Sequence, residues 1–206
     1  REGRLVLLFS QDLDLIERST DEVLVIEDGE IAGRGDPRET VGAYRERIAE
    51  ELRGVSEASE VDVQRHGDQR ARIVAFELRG ADGQPTASLK SGEETTVVAC
   101  VRFEAPVEDP VFGILIRNRV GVSVYGTNTE LEDLHFGPVG TGDERELHFA
   151  FACALCPGEY TLTLASHDPD GTAHDWLEEA LLFAVTDSRF TEGVANLRAK
   201  VTVSSG

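Results

Sequence analysis

From residue 72 onward, short apolar and β-branched runs follow one another, each closed by a turn-forming cluster. The runs are 72–79, 95–103, 111–117, 122–126, 146–152, 159–166, 180–186 and 194–203. Between them stand Asp82-Gly83, Ser91-Gly92, 119–121, 140–143, Pro157-Gly158 and 168–171. Runs this short, cut by such turns, cannot sustain the 3.6-residue periodicity of an amphipathic helix and bury their apolar side chains as strands. Many strands at this spacing predict a mainly β fold, an antiparallel β-sandwich. A chain of 206 residues buries a sizeable core without help from metals or disulfides.

The first third reads differently. Residues 4–9 (RLVLLF) suit a buried strand, and Leu13, Leu15 and Ile16 then recur at helical spacing behind Asp12 as a cap. Residues 23–26 form a second strand and 30–34 a third. Asp28-Gly29 between them is a hairpin turn, because a type I′ turn needs positive φ at both central residues. Asp36 as N-cap and Pro37 at the first helical position open a helix to about Leu52, with Val41, Tyr44, Ile48 and Leu52 as its apolar stripe. Residues 54–71 lose all periodicity and read as a linker. The expected organisation is a small α/β unit (1–53), a linker (54–71) and a β-sandwich (72–206).

The formal net charge is −19. Residues 1–53 hold 14 acids and 8 bases, residues 54–206 hold 25 acids and 12 bases. Both parts are acidic, which argues against nucleic acid or anionic lipid as a partner. No apolar run approaches the length of a membrane span, and residues 1–10 lack the pattern of a secretion signal. The chain starts at Arg1 and contains no Met, so it reads as a fragment or a processed product. Cys153 and Cys156 have CxxC spacing. Strand-like flanks favour two small apolar residues near a strand end over a metal or redox pair.

Residues 4–53 resemble the end of an ABC-transporter ATPase domain. The matching features are strand LVLLF, Ser10-Gln11-Asp12, the helix, VLVIEDGEI, and Gly35-Asp36-Pro37 before the last helix. The resemblance makes Gln11 the nucleotide-contacting switch position, where the family usually has His. A glutamine amide makes hydrogen bonds but carries no proton at neutral pH, which implies slow ATP turnover in the whole subunit. No GxxxxGK[ST] loop is present, so ATP and Mg belong to the whole subunit, and this chain has neither a cofactor nor catalysis of its own. The stretches VFGILIRNRVGVSVYGTNT (111–129), CPGEYTLTLAS (156–166), AHDWLEEALLFAV (173–185) and FTEGVANLRAKV (190–201) resemble the C-terminal carbohydrate-binding domain of Wzt-type proteins. That resemblance implies an immunoglobulin-like sandwich that binds O-antigen-type polysaccharide at the cytoplasmic face of the bacterial inner membrane. It implies a membrane permease subunit as partner, and a homodimer in which the strand 194–203 can be exchanged. The alternative is a dimerisation module that positions ATPase domains without binding glycan.

Sugars present an apolar C–H face and a fan of hydroxyls, so aromatic faces beside planar polar groups suit them. Trp176, the only tryptophan, stands beside His174 and Asp175, and is either core or a stacking platform. Tyr125, Thr127 and Asn128 lie in the family motif and serve a glycan or a structural turn. Alternation along 122–126 puts Ser123 and Tyr125 on one face. Arg117, read with Asn118 and Arg119 as a loop, suits an acidic or phosphorylated glycan terminus or is a solvated hairpin turn. A glycosidase would need two carboxylates across the sugar, and Asp168 with Asp175 is the nearest pair to that pattern.

Overall fold

The computed structural model describes residues 5–10, 13–27, 29–53, 64–189 and 191–204, the side chains at 14, 45, 46 and 48–53 excepted. Helix α1 is Leu13–Ser19, β1 is Val23–Glu27, β2 is Glu30–Gly35 and α2 is Pro37–Arg53. The Asp36 carboxylate accepts hydrogen bonds from the backbone of Arg38 (2.9 Å) and Glu39 (3.3 Å), so it caps α2 as its position predicts. β1 and β2 form a two-stranded hairpin closed at Glu27↔Glu30, with Gly29 at φ +84°. Residues 5–10 carry no strand, contrary to the sequence expectation, and Leu5, Val6, Leu7 and Phe9 are largely exposed. A strand exists only where a neighbour completes its backbone ladder, and among the described residues β1 and β2 pair solely with each other.

The β-sandwich follows. Its strands are β3 (Arg65–His66), β4 (Ala71–Arg79), β5 (Ser88–Lys90), β6 (Glu94–Phe103), β7 (Val111–Asn118), β8 (Ser123–Asn128), β9 (Glu144–Ala152), β10 (Gly158–His167) and β11 (Ala173–Thr186). The larger sheet runs β3-β11-β10-β7-β8, with β5 added parallel to the end of β11; the smaller runs β4-β6-β9. All other pairings are antiparallel. Alternation puts Phe103, Val101 and Val97 of β6 against Ile116, Leu162 and Phe183 of the larger sheet, all 2% exposed or less. Each such side chain contributes about 1.5–3 kcal/mol by leaving water.

Three departures from the sequence reading have local causes. β11 starts at Ala173, well before residue 180, because two bulges scramble its alternation. Residues 65–66 and 71, within the expected linker, already pair with β11 and β6. Residues 194–203 form no strand: they make one bridge, Leu155↔Ala195, and the end of β11 is already paired with β5.

Candidate functional site

The larger sheet turns its outer face away from the core, and one row crosses it. His66 of β3 pairs with Trp176 of β11, Trp176 with Ala165 of β10, Ala165 with Gly113 of β7, and Gly113 with Asn128 of β8. Paired residues share a face, so one end carries aromatic rings, the middle is nearly bare and the other end is an amide. From Trp176 to Asn128 the row spans three strand spacings, about 14 Å. The half-buried Trp176 stacks on the exposed His66 ring, 5.8 Å between centroids and 22° between planes. Its indole Nε1–H is shielded and has no acceptor among the described residues.

The middle is bare for a steric reason. A Cβ on Gly113 would stand 3.1 Å from Asn128 Cβ and 3.2 Å from the Thr127 carbonyl, and one on Gly126 would meet Leu115 at 3.0 Å. Arg117 pairs with Thr161 and Ser123 on the same face, and its guanidinium reaches Thr163 Oγ1 at 3.5 Å. Thr163 Oγ1 also accepts from Glu179 N at 3.2 Å, inside a bulge where Glu179 adopts φ +50°. A left-handed glutamate beside this face is backbone strain of the kind that clusters at functional sites.

Trp176, Asn128 and Arg117 therefore come together. Tyr125 and Thr127 do not join them: they pair with Ile116 and Ile114, which face the core. Tyr125 packs its ring 5.7 Å from Phe151 at the open side of the sandwich. A bulge puts Ser123 opposite Arg117 and Tyr125 opposite Ile116, so these two residues do not share the face that plain alternation predicts. Thr127 donates to Glu132 at 2.6 Å, and Asn128 Oδ1 accepts from Leu131 N at 2.7 Å, so both also hold the turn after β8.

His174 and Asp175 are fully buried behind Trp176. Asp175 Oδ1 meets Arg65 Nε and Gln69 Nε2, each at 3.1 Å, and Oδ2 accepts from Ile73 N at 2.7 Å. This carboxylate ties β3, β4 and β11 together. His174 Nδ1 lies 3.1 Å from Ser166 Oγ, and its Nε2 lies 3.0 Å from Asp168 Oδ1, without the alignment of a full hydrogen bond. Ser166 and His174 have no exposed surface, so this Ser-His-Asp set pins the wall. Burial would raise the Asp168 carboxyl, but the hydrogen bond from Arg70 and the adjoining His174 ring outweigh it and hold the group below the usual carboxylate range. Arg70 spans Asp68 (2.7 Å) and Asp168 (2.6 Å).

Among the described residues no cluster of three or more His, Cys, Asp or Glu side chains could hold a metal ion. Cys153 and Cys156 are buried free thiols, and burial raises the pKa of Cys153. Gln11 lies outside the described residues. Sequence reasoning missed His66, which sits in a two-residue strand too short for any periodicity. It also missed the Arg65–Asp175–Gln69 clamp, whose members lie about a hundred positions apart.

A family model described as the Wzt C-terminal domain matches residues 62–197. The chain belongs to that family. A crystal structure of the C-terminal domain of wzt is 26% identical with a TM-score of 0.65, covering 70% of this chain and 90% of that one. A Niemann-Pick type C2 protein from Japanese carpenter ant is 8% identical with a TM-score of 0.42, covering 60% of this chain and 98% of that one. The comparison with curated proteins finds no match. The antiparallel sandwich is thus the Wzt C-terminal fold, in the setting of an ABC exporter of O-antigen, where the domain is a carbohydrate-binding or regulatory module. Among the described residues no helix is long and apolar enough to cross a membrane.

Proposed function

We propose that this Wzt C-terminal domain recognises O-antigen-type polysaccharide on the outer face of its larger sheet, at the cytoplasmic face of the bacterial inner membrane. The observation that carries the reading is the row from the His66–Trp176 stack, over Ala165 and Gly113, to Asn128. A sugar's C–H face lies on the rings, and its hydroxyls meet the Arg117 guanidinium and the Asn128 amide. His174 and Asp175 act behind the surface by fixing β11. In this reading residues 1–53 end the ATPase domain of an exporter subunit, which holds ATP and Mg through its other parts and couples to a membrane permease.

Calorimetric titration of the full chain with purified O-antigen polysaccharide tests it. The expected result is saturable binding that Trp176→Ala weakens at least tenfold while the fold is retained. Absence of binding by folded protein would overturn it. One observation favours a second use, dimerisation: Leu197, Val201 and Val203 of the extended C-terminal segment are more than four-fifths exposed. Such a segment suits strand exchange with a second copy. Sedimentation of the full chain against a truncation after Arg198 would then show a dimer lost in the shorter form.

A further inference from the structure

We infer that this face selects an uncharged stretch of glycan and rejects polyanionic chains such as polyuronates. The inference rests on the glycan-binding reading and adds the charge class of the ligand.

Residues 54–206 hold 25 acids against 12 bases, so an approaching polyanion meets net repulsion. Six of those twelve bases are held by the protein's own carboxylates, Arg145 by Asp143 among them. Arg65 is bound to Asp175, Arg70 to Asp68 and Asp168, Arg79 to Glu77, Arg102 to Glu144, and Arg198 to Asp187. A cation already paired with a carboxylate has little attraction left for a ligand anion. The row itself, from Trp176 through Ala165 and Gly113 to Asn128, holds no acidic or basic side chain. Arg117 stands beside it with a neutral partner, Thr163 Oγ1. One guanidinium next to hydroxyls makes directional bonds to sugar hydroxyls, but it does not offset the net acidity of residues 54–206.

Salt separates the two classes of ligand, because screening weakens a charge-driven complex and leaves stacking and neutral hydrogen bonds nearly untouched. The full chain is titrated at about 20 mM and about 300 mM NaCl with neutral polymers (mannan, rhamnan, glucan) and with polygalacturonate and polyglucuronate. Trp176, the single tryptophan, reports binding through its emission. The expected result is binding of at least one neutral polymer, with affinity changing less than twofold between the two salts, and at least tenfold weaker binding of the polyuronates at low salt. Arg117→Gln is expected to weaken the neutral complex about fivefold at both salts. Tight polyuronate binding that fades with salt, lost in Arg117→Gln only at low salt, would overturn the inference and leave glycan recognition standing. No binding across the panel would overturn the glycan reading and this inference together.

Discussion

The two sheets of the sandwich share a core and differ on their outer faces. The outer face of β4-β6-β9 is a lattice of charge: Arg102 bonds Glu144 at 2.8 Å, His148 bonds Glu146 at 2.7 Å, and Arg79 pairs with Glu77. The Arg102 and His148 pairs are exposed and that of Arg79 is half-buried, and such surface pairs contribute little to stability; they keep a sheet face solvated and resist edge and face association. The outer face of β3-β11-β10-β7-β8 spends its polar groups differently. Its surface row is aromatic, small and amide-bearing, with Arg117 beside it, and the carboxylate of Asp175 sits one layer down. Charge on the first face is in water, where it costs nothing to remove. On the second, the Asp175 carboxylate is fully buried, where it fixes geometry and where its loss strands its partners.

The contrast breaks most directly at Asp175. Replacing it with Ala leaves Arg65, Gln69 and the Ile73 N–H facing a hole, and the expected loss is about 3–5 kcal/mol in urea unfolding. Glu144→Ala on the opposite face should leave the urea midpoint within error; equal effects would erase the distinction between the faces. Next in size is recognition. Trp176→Ala should weaken polysaccharide binding about 30-fold or more, the scale of a tryptophan hot spot. His148→Ala should leave binding unchanged, and a loss there would move the site to the other sheet.

Acid sharpens the comparison further. Asp168 has a lowered carboxyl pKa in the folded state, so its contribution is complete above the unfolded value of about 3.9 and disappears as pH falls through the folded value. Arg70→Gln removes the main favourable contact and leaves burial to act, so acid unfolding should begin at higher pH than in the wild type. Glu146 is also lowered, first by its hydrogen bond from His148, but it is fully exposed. His148→Ala should not shift the acid midpoint of the circular dichroism. The smallest expected effect is at Cys100, whose thiol pKa burial and nearby Glu146 push upward. Cys100→Ser should change neither stability nor binding measurably, and the thiol should react slowly with disulfide reagents at neutral pH.

Much of the sandwich was legible before any coordinates. β4, β6, β7, β9 and β10 fall within two residues of the runs read from alternation, because each is a long strand with one face in the core. β3 and β5 were invisible, since two or three residues carry no period. Residues 5–9 and 194–203 form no strand for the opposite reason: their composition suits strands, but strand formation needs an open ladder beside them. The site was legible in part. Trp176, Asn128 and Arg117 were found from residue chemistry and do share a face. Tyr125 was assigned to the face of Ser123 because a bulge cannot be read from alternation. His66 offered no signal at all.

The sequence by itself determined the class of fold, the positions of most strands, the capped helix α2 and the acidic character of the surface, because these follow from local periodicity, turn chemistry and composition. Only the tertiary structure decided that His66 meets Trp176, that Ala165 and Gly113 leave a bare strip between rings and amide, and that Asp175 is a buried clamp. Those are pairings between residues far apart in the chain. Register across five strands creates them, and register is fixed by how the whole core packs.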